Sequence, residues 1–274
     1  MNEALVFLAA PMALAVMLVG IHAYLGLHVL ARDVIFVDIS LSQVAALGGA
    51  LALFYSGEGD RALSLTLSLV LCLIVALLLS LLRHYEKKIS QEALIGITYA
   101  LASGSLILVM DRLPHGGEHL KEALIGNILY VTWPQVLETG LIYSAIGFIH
   151  FFCRHQFWAS SRNQHRSFFW DFIFYLLFGV VITFSTHHAG VLVVFSILVV
   201  PAAMACRLYS SVKNRLLFAW FFGVFGVLVS FLASYKYDMP AGAAIVTILT
   251  GSFFLMLLVL ILNEQFRAKK NNPL

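Results

Sequence analysis

The sequence predicts an all-α, polytopic integral membrane protein, and three observations support that fold class. Hydrophobic residues make up 61% of the 274 residues and charged residues only 11%, and the mean hydropathy is +0.92. These values lie far outside the usual composition of a soluble domain. The apolar residues form long segments, and about 20 of them are needed to cross roughly 30 Å of hydrocarbon. The polar connections are short, so residues 1–274 are expected to form a single transmembrane domain.

Nine apolar segments follow one another, and about eight to nine transmembrane helices are expected. They run near residues 4–27, 36–54, 62–82, 93–110, 135–153, 168–186, 190–206, 216–235 and 241–262. The seventh is slightly short for a full crossing. It carries Pro201, which frees a backbone carbonyl and therefore predicts a helix buried among its neighbours, with a kink left open. The connection 111–134 is expected to include a short interfacial helix that ends near Trp133.

The basic residues of the connections predict the orientation of the chain. Thirteen of the seventeen Lys and Arg lie on one side of the predicted membrane: Arg32, Arg83, Lys87, Lys88, Arg154, Arg162, Arg166, Arg207, Lys213, Arg215, Arg267, Lys269 and Lys270. By the positive-inside rule this side is cytoplasmic, so the N-terminus is predicted outside and the C-terminus inside. The net charge of +3 therefore has a topological cause and does not indicate a nucleic-acid partner.

Several classes of protein lack support in the sequence. We find no P-loop, no HExxH and no GxSxG motif, so the chain has no obvious catalytic equipment. The three cysteines stand within or beside apolar segments without metal-type spacing, which indicates small buried residues rather than disulfides. The first residues lack a basic region, and the first apolar segment is long enough to stay in the membrane, so no cleavable signal peptide is expected.

Asp38, at the start of the second span, is the main candidate for a residue that lines a transport path. Ionisable groups in hydrocarbon are costly and usually functional. Ser42 follows one helical turn later on the same face, and Gln43 is next to it, so these side chains offer oxygen ligands along a polar path. The alternative, which is compatible with the first, is that Asp38 caps the helix N-terminus. Glu92 is interpreted as a helix cap at the start of the fourth span.

Histidines on the predicted outer side of the membrane are further candidates. His187 and His188 could present imidazole to zinc or manganese at the outer mouth, provided that the backbone turns near Gly190. The alternative is a pair of solvated histidines at a tight turn. His115 and His119 in the outer connection are weaker candidates, for which a solvated loop is the simpler interpretation. Asp238, before the last span, is either a path residue, a cap of that helix or a partner of Lys236.

Five segments in order resemble the permease subunits of zinc and manganese ABC importers. They are residues 32–48, 91–97 (QEALIGI), 170–179 (WDFIFYLLFG), 189–203 (AGVLVVF continuing to VPAA) and 238–242 (DMPAG). The resemblance covers nearly the whole chain. It implies the architecture of a type II ABC importer permease: a homodimer with the path on its two-fold axis, a cytoplasmic ATPase on each copy and an extracytoplasmic metal-binding protein. It also implies a bacterial inner-membrane location and a transported divalent metal, zinc first, with no permanently bound cofactor.

The chain departs from that family in two places. Where many members carry a histidine after the aspartate of the second span, this chain has Ser42 and Gln43. The segment that contacts the ATPase is usually acidic, whereas the corresponding stretch here is short and basic. Its candidate coupling residues are Arg154, Trp158, Arg162, His165 and Arg166. A plain positive-inside anchor is the alternative for this stretch.

Two other functions stay open from the sequence. One is an ABC permease for a metal chelate or a cobalamin-like cofactor, whose path would be wider and less polar. The other is a carrier or channel that works alone on an ion gradient, which co-purification of an ATPase would exclude.

Overall fold

The computed structural model describes residues 2–57, 60–85, 88–162 and 167–271, with side chains described from residue 6 to residue 265. Within these ranges the chain is helical and contains no strand. The helices are α1 (Asn2–Ala31), α2 (Val37–Ser56), α3 (Arg61–Tyr85), α4 (Gln91–Met110), α5 (Gly116–Ile125), α6 (Trp133–Phe152), α7 (Arg154–Ser161), α8 (Phe168–Ala189), α9 (Val191–Leu208), α10 (Val212–Tyr237) and α11 (Ala241–Asn271), with a short 3-10 turn at Ile128–Tyr130.

Nine helices within the described ranges are long and apolar enough to cross a membrane, which confirms the predicted fold class. Most extend beyond the predicted apolar segments: α1 continues to Ala31 and α3 to Tyr85. Hydropathy marks the part of a helix that lies in hydrocarbon, whereas local capping decides where the helix ends. At the start of α4, for example, the Ser90 hydroxyl accepts the Ala93 N–H at 3.2 Å.

The spans form two groups that pack on each other. α2, α3, α4 and α8 contact one another, and α1, α9, α10 and α11 form the second group, with α6 against α1. More than half of the spanning residues of α1, α2, α8 and α9 are buried, against 11% in α11. Pro201 is buried in α9, as the sequence predicts. The interior of the bundle is therefore built from α1, α2, α8 and α9, and α11 lies at its periphery.

The two ends of the bundle differ in the residues that they carry. The end where α1, α3 and α9 finish holds Arg32 and Arg83, and we call it the Arg32 end. The opposite end, where α2, α4 and α8 finish, holds His187, and we call it the His187 end. The helix expected within 111–134 is α5 at the His187 end, but it ends at Ile125 and not near Trp133, so the predicted end was wrong.

The turn between α8 and α9 is enclosed by protein. Ala189 and Val191 are at most 2% exposed, and a Cβ atom on Gly190 would collide with the backbone of Gly126, which follows α5. Gly190 has φ 79° and ψ 160°, a conformation essentially restricted to glycine. Irregular backbone at membrane depth is tolerated where protein covers it. α9, the seventh span, therefore begins at a turn that is covered by the end of α5 and Gly126.

Candidate functional site

Asp38 is completely buried in the first turn of α2. Its side chain is 0% exposed, and neither carboxylate oxygen has a hydrogen-bond partner among the described residues. The Phe36 N–H at the start of α2 instead donates to Glu92 Oε1 at 3.3 Å. Glu92 therefore caps α2 rather than its own helix, and the interpretation of Asp38 as a capping residue is not supported. What remains is an enclosed carboxylate without a hydrogen-bond partner among the described residues.

Ser42 follows Asp38 on the same face of α2, one turn further from the Arg32 end. It is 0% exposed, and its Oγ lies 3.2 Å from the Oγ1 of Thr186 in α8. Gln43 is also buried but projects about 100° round the helix from Ser42. The structure thus aligns Asp38 and Ser42, joins Ser42 to α8, and places Gln43 to one side.

A cavity of about 430 Å³ lies between α2, α3, α5 and α8 at the His187 end. The residues on its wall that bear charge or can bind a metal are Asp60, Arg61, His119, Glu122 and His187. The Arg61 guanidinium is paired with Glu138 at 2.6 Å, so its charge is largely offset. Small side chains of α2, among them Ala45 and Gly49, form the wall that leads inward, and Thr183 and Thr186 line the α8 side.

The two adjacent histidines face different surroundings. The helix continues through Ala189, so the backbone does not turn between them, and their rings meet edge to face with centroids 5.3 Å apart. His187 is exposed and lines the cavity. His188 is 4% exposed, and its Nε2 has no partner among the described residues. His187 thus lines the cavity whereas His188 is buried beside it, so the two are not a pair of solvated histidines.

Asp238 is separated from these residues. It ends α10 in a left-handed conformation with φ 50° and is exposed. The side chain is not part of the cavity wall. The structure therefore gives no support to a role for Asp238 in the same path as Asp38.

Three buried polar side chains inside the bundle were missed by the sequence analysis. The Tyr143 hydroxyl of α6 bonds the Ser185 hydroxyl of α8, and Ser185 Oγ lies 3.1 Å from Nε2 of His22 in α1. His22 is 0% exposed and bonds the Leu18 carbonyl through Nδ1 at 2.8 Å. This network joins α1, α6 and α8 at Ser185, the residue before Thr186. His22 could have been found from the sequence, because it is a histidine within an apolar span, where ionisable groups are rare.

The short helix α7 at the Arg32 end contains two of the five candidate coupling residues, Arg154 and Trp158, and Arg162 directly follows it. Phe157, Ser160 and Ser161 are buried and hold the helix to the bundle. Arg154 and Arg162 are exposed, whereas Trp158 is half-buried, with its ring 4.0 Å from that of His28. The candidates His165 and Arg166 lie outside the described residues.

Next to α7 is a buried cluster that consists of Arg32, Arg83, Asp171, Ser160 and Ser161. Oδ1 of Asp171 accepts from Arg32 at 2.7 Å and from Arg83 at 2.8 Å, as well as from the Ser160 hydroxyl. The Arg32 Nε donates to Ser161 Oγ at 3.0 Å. Burial is the main influence on the pKa of Arg32 and lowers it, while the Asp171 carboxylate opposes that shift. The cluster joins the ends of α1 and α3 to α7 and to the start of α8.

The described residues contain no preformed metal centre. Among residues 6–57, 60–85, 88–162 and 167–265, no three His, Cys, Asp or Glu side chains are grouped closely enough to hold an ion. From the His187 end inward, the structure instead presents a polar cavity, then the hydroxyls of Ser42 and Thr186, and then the buried carboxylate of Asp38. Such an arrangement suits a path along which a cation moves better than a site at which it stays.

The nine described helices long and apolar enough to span a membrane make this a polytopic membrane protein, and a carboxylate buried within such a bundle usually has a function. The profile of the ABC 3 transport family matches residues 5–260. The chain therefore belongs to that family.

Individual relatives are distant. A "Probable metal transport system membrane protein" of Chlamydia trachomatis is 22% identical over 199 residues, which is 70% of this chain and 66% of that protein. The manganese transport system membrane protein of Listeria innocua is 23% identical over 184 residues, 63% of this chain and 64% of that one. The alignments thus span slightly less than two thirds of these relatives.

Two solved structures share the fold. PsaBC from Streptococcus pneumoniae, in complex with a Fab, has a TM-score of 0.72 and 20% identity, and covers 91% of this chain and 90% of that one. The structure titled "An inward-facing conformation of a putative metal-chelate type ABC transporter" has a TM-score of 0.71 and 14% identity, and covers 93% of this chain and 87% of that one. At these identities the similarity concerns the fold alone.

Proposed function

We propose that this chain is the membrane permease subunit of an ATP-binding-cassette importer for a divalent first-row transition metal ion. The single observation that carries the proposal is Asp38, whose carboxylate is fully buried and has no partner among the described residues. Removing an ionised carboxylate from water without compensation is costly. A cation that passes through the bundle would supply that compensation, so Asp38 is assigned as its deepest ligand.

The other path residues are assigned from their order along the fold. A cation would enter the cavity at the His187 end, where His187 and two carboxylates line the wall. It would next meet Ser42 and Thr186, and then Asp38 one turn deeper on α2. Asp238 is left out of this path because it is exposed and lies outside the cavity wall.

The identity of the metal is a finer proposal. Zinc, the metal expected first from the sequence, stays a prediction. Ser42 and Thr186, which precede Asp38 on the proposed path, offer hydroxyl oxygens, and oxygen ligands suit manganese at least as well as zinc, which binds imidazole and thiolate readily. A relative named for manganese and one named for iron support testing all three ions.

The partners follow from the same proposal. We assign α7 as the contact for a separate cytoplasmic ATPase, because it is anchored by buried side chains and presents Arg154 and Arg162 outward. ATP hydrolysis would occur on that partner. An extracytoplasmic metal-binding protein would dock at the His187 end, over the cavity. A second copy of the chain would complete the permease as a homodimer.

The orientation is proposed from charge. The Arg32 end carries the basic connections and is assigned to the cytoplasm by the positive-inside rule, with the N-terminus outside and the C-terminus inside. This places α7 on the side where ATP is available and the cavity on the side where metal arrives.

The proposal is tested by purifying the protein with its co-expressed ATPase, reconstituting the complex in lipid vesicles and measuring ATP hydrolysis. The metal-binding protein is added free or loaded with zinc, manganese or iron(II). We expect one loaded form to stimulate hydrolysis and to drive accumulation of that metal. If no ATPase co-purifies, or if no metal stimulates, the proposal fails and a carrier driven by an ion gradient becomes the better interpretation.

A metal chelate is the second candidate cargo, because the fold matches a metal-chelate type transporter almost as well. The same vesicles distinguish the two cargoes. Uptake of the chelated metal with no uptake of the free ion would replace the ion by the chelate and would remove Asp38 as a direct ligand.

A further inference from the structure

Buried carboxylate oxygens without a hydrogen-bond partner belong to only two residues in the described part of the chain. They are both oxygens of Asp38 and the Oε2 atom of Glu92. Asp38 lies in the first turn of α2 and Glu92 in the first turn of α4. These two helices pack against each other, and both begin at the Arg32 end of the bundle. A second incompletely bonded carboxylate therefore lies at the end of the bundle that is nearer to Asp38.

The other oxygen of Glu92 holds the start of the helix that carries Asp38. Glu92 Oε1 accepts the Phe36 N–H at 3.3 Å. Asp38 follows Phe36 by two residues, which is about 3 Å of helix rise. Glu92 is not needed as a cap for its own helix, because Ser90 caps α4. One oxygen of Glu92 thus has a structural role, and the other has none among the described residues.

Glu92 is intermediate in exposure between Asp38 and the solvent. Asp38 is 0% exposed, whereas Glu92 is partly buried. Phe36, to which Glu92 is hydrogen-bonded, is 53% exposed. Asp33, in the connection before α2, is exposed and close enough to Glu92 for their charges to interact. Glu92 therefore connects the start of α2 to the water-exposed surface at the Arg32 end.

The charge of Glu92 contrasts with that of the buried cluster at the same end. Arg32 and Arg83 share the single carboxylate of Asp171, so these three side chains carry an excess of one positive charge. A cation that moves towards this cluster is repelled. A carboxylate at the start of α4 offers the cation an attractive alternative on another side of α2.

We propose that Glu92 is the ligand to which the transported cation passes when it leaves Asp38 for the cytoplasm. This assignment rests on the proposed function for the nature of the cargo and for the direction of transport. Glu92 Oε2 would bind the ion while Oε1 keeps the start of α2 in place. Carboxylate oxygens bind hard and borderline divalent cations. No three His, Cys, Asp or Glu side chains are grouped among the described residues, so the ion would be held by few protein ligands and released readily.

Two substitutions separate the ligand role of Glu92 from its capping role. Glu92→Gln keeps an oxygen that can accept the Phe36 N–H but removes the charge, whereas Glu92→Ala removes both. In vesicles with the ATPase and the loaded binding protein, we expect Glu92→Gln to reduce the initial rate of metal uptake about tenfold, which corresponds to ~1.4 kcal/mol. Its thermal transition should not change. Glu92→Ala should lose uptake to the same extent and should also unfold at a lower temperature.

A second measurement detects the cation at Glu92 without transport. The three native cysteines are replaced by alanine, Phe36→Cys is introduced and labelled with bimane, and the permease alone is placed in lipid nanodiscs. Cobalt(II), which quenches bimane at short range, is the probe. We expect Glu92→Gln to raise the cobalt concentration for half-maximal quenching about tenfold, by the same conversion. Glu264→Gln is the matched control, because it removes another carboxylate at the Arg32 end, and it should leave both quenching and uptake unchanged.

The outcomes distinguish this assignment from the proposed function. Full uptake in Glu92→Gln would overturn the ligand role and leave Glu92 as a cap of α2. Equal effects of Glu92→Gln and Glu264→Gln would also overturn it, since they would reflect a general loss of negative charge. Quenching that depends on Glu92, in a protein that drives no uptake with any metal, would support the cation site while the proposed function fails. Metal-stimulated uptake that Glu92→Gln leaves intact, with unshifted quenching, would reject Glu92 alone.

Discussion

The Oγ of Ser161 in α7 lies 3.0 Å from the Nε of Arg32, the first residue after α1. Arg32 begins the five-residue connection to α2, whose second residue is Asp38. The exposed helix that we assign as the ATPase contact is thus hydrogen-bonded to the segment that carries the candidate ligand. A displacement of α7 would act on this connection directly, without passing through the apolar interior.

Arg154→Glu combined with Arg162→Glu is expected to abolish co-purification of the ATPase. Both side chains are exposed on or beside α7, so the reversal changes the charge of the docking surface without disturbing buried groups. The measurement is the amount of ATPase recovered with the tagged permease. Lys213→Glu, at the same end but outside α7, is the control and should retain the ATPase. Normal recovery with the double variant would mean that α7 is only a topological anchor.

Asp171→Asn is expected to destabilise the protein by about 3–5 kcal/mol, because it leaves two buried arginines without their shared anion. The side chains involved are at most 4% exposed. Unfolding in mixed micelles with increasing denaturing detergent would measure the change. Glu264→Gln breaks the exposed pair with Arg207 and should cost less than about 1 kcal/mol. Similar costs for the two variants would contradict the structural importance of the cluster.

Asp38→Asn is expected to reduce metal uptake at least about tenfold, the loss of a charged ligand interaction. Stability should not fall, since a neutral amide replaces a buried carboxylate that has no partner. Uptake into vesicles and the thermal transition of the same samples would be measured together. Ser40→Ala serves as the control, because Ser40 is buried on α2, has no hydrogen-bond partner for its hydroxyl among the described residues, and lies on another face. Undiminished uptake would remove Asp38 from the path.

Gly190→Ala is expected to lower stability by more than about 3 kcal/mol, because alanine is strained at φ 79° and its Cβ would meet the Gly126 backbone. The readout is the yield of folded monodisperse protein together with its thermal transition. Gly147→Ala in α6, where the added carbon has open space, should be neutral or stabilise by roughly 0.5–1 kcal/mol. If the two variants behaved alike, the contact between the two turns would not matter for folding.

The spans were predictable because each is a long apolar segment, and that signal does not depend on tertiary contacts. Asp38 and Ser42 were found for a related reason: polar residues one turn apart in an apolar helix stand out. Their environment was not predictable. Whether Asp38 caps its helix was decided by Glu92, a residue 54 positions further along the chain that takes the Phe36 N–H.

Thr186 and His22 were missed for different physical reasons. A threonine in an apolar span carries no pattern of its own, and the partner of Thr186 is 144 positions away. His22 did carry a signal, because an imidazole within hydrocarbon is unusual, but its network depends on which helices meet. The different exposure of His187 and His188 could be derived only once α8 was seen to continue past both of them.

The enclosed turn at Gly190 has a consequence for how the protein would appear in topology mapping. Reporter fusions and inserted epitopes register a loop only when it reaches water, and exposed loop tips are the places that accept insertions. A tag at Gly190 would have to displace Gly126 and the end of α5. Such a map would record the connections before α8 and after α9 on one side with no loop between them. It would therefore count seven crossings in a chain that contains nine spanning helices within its described residues.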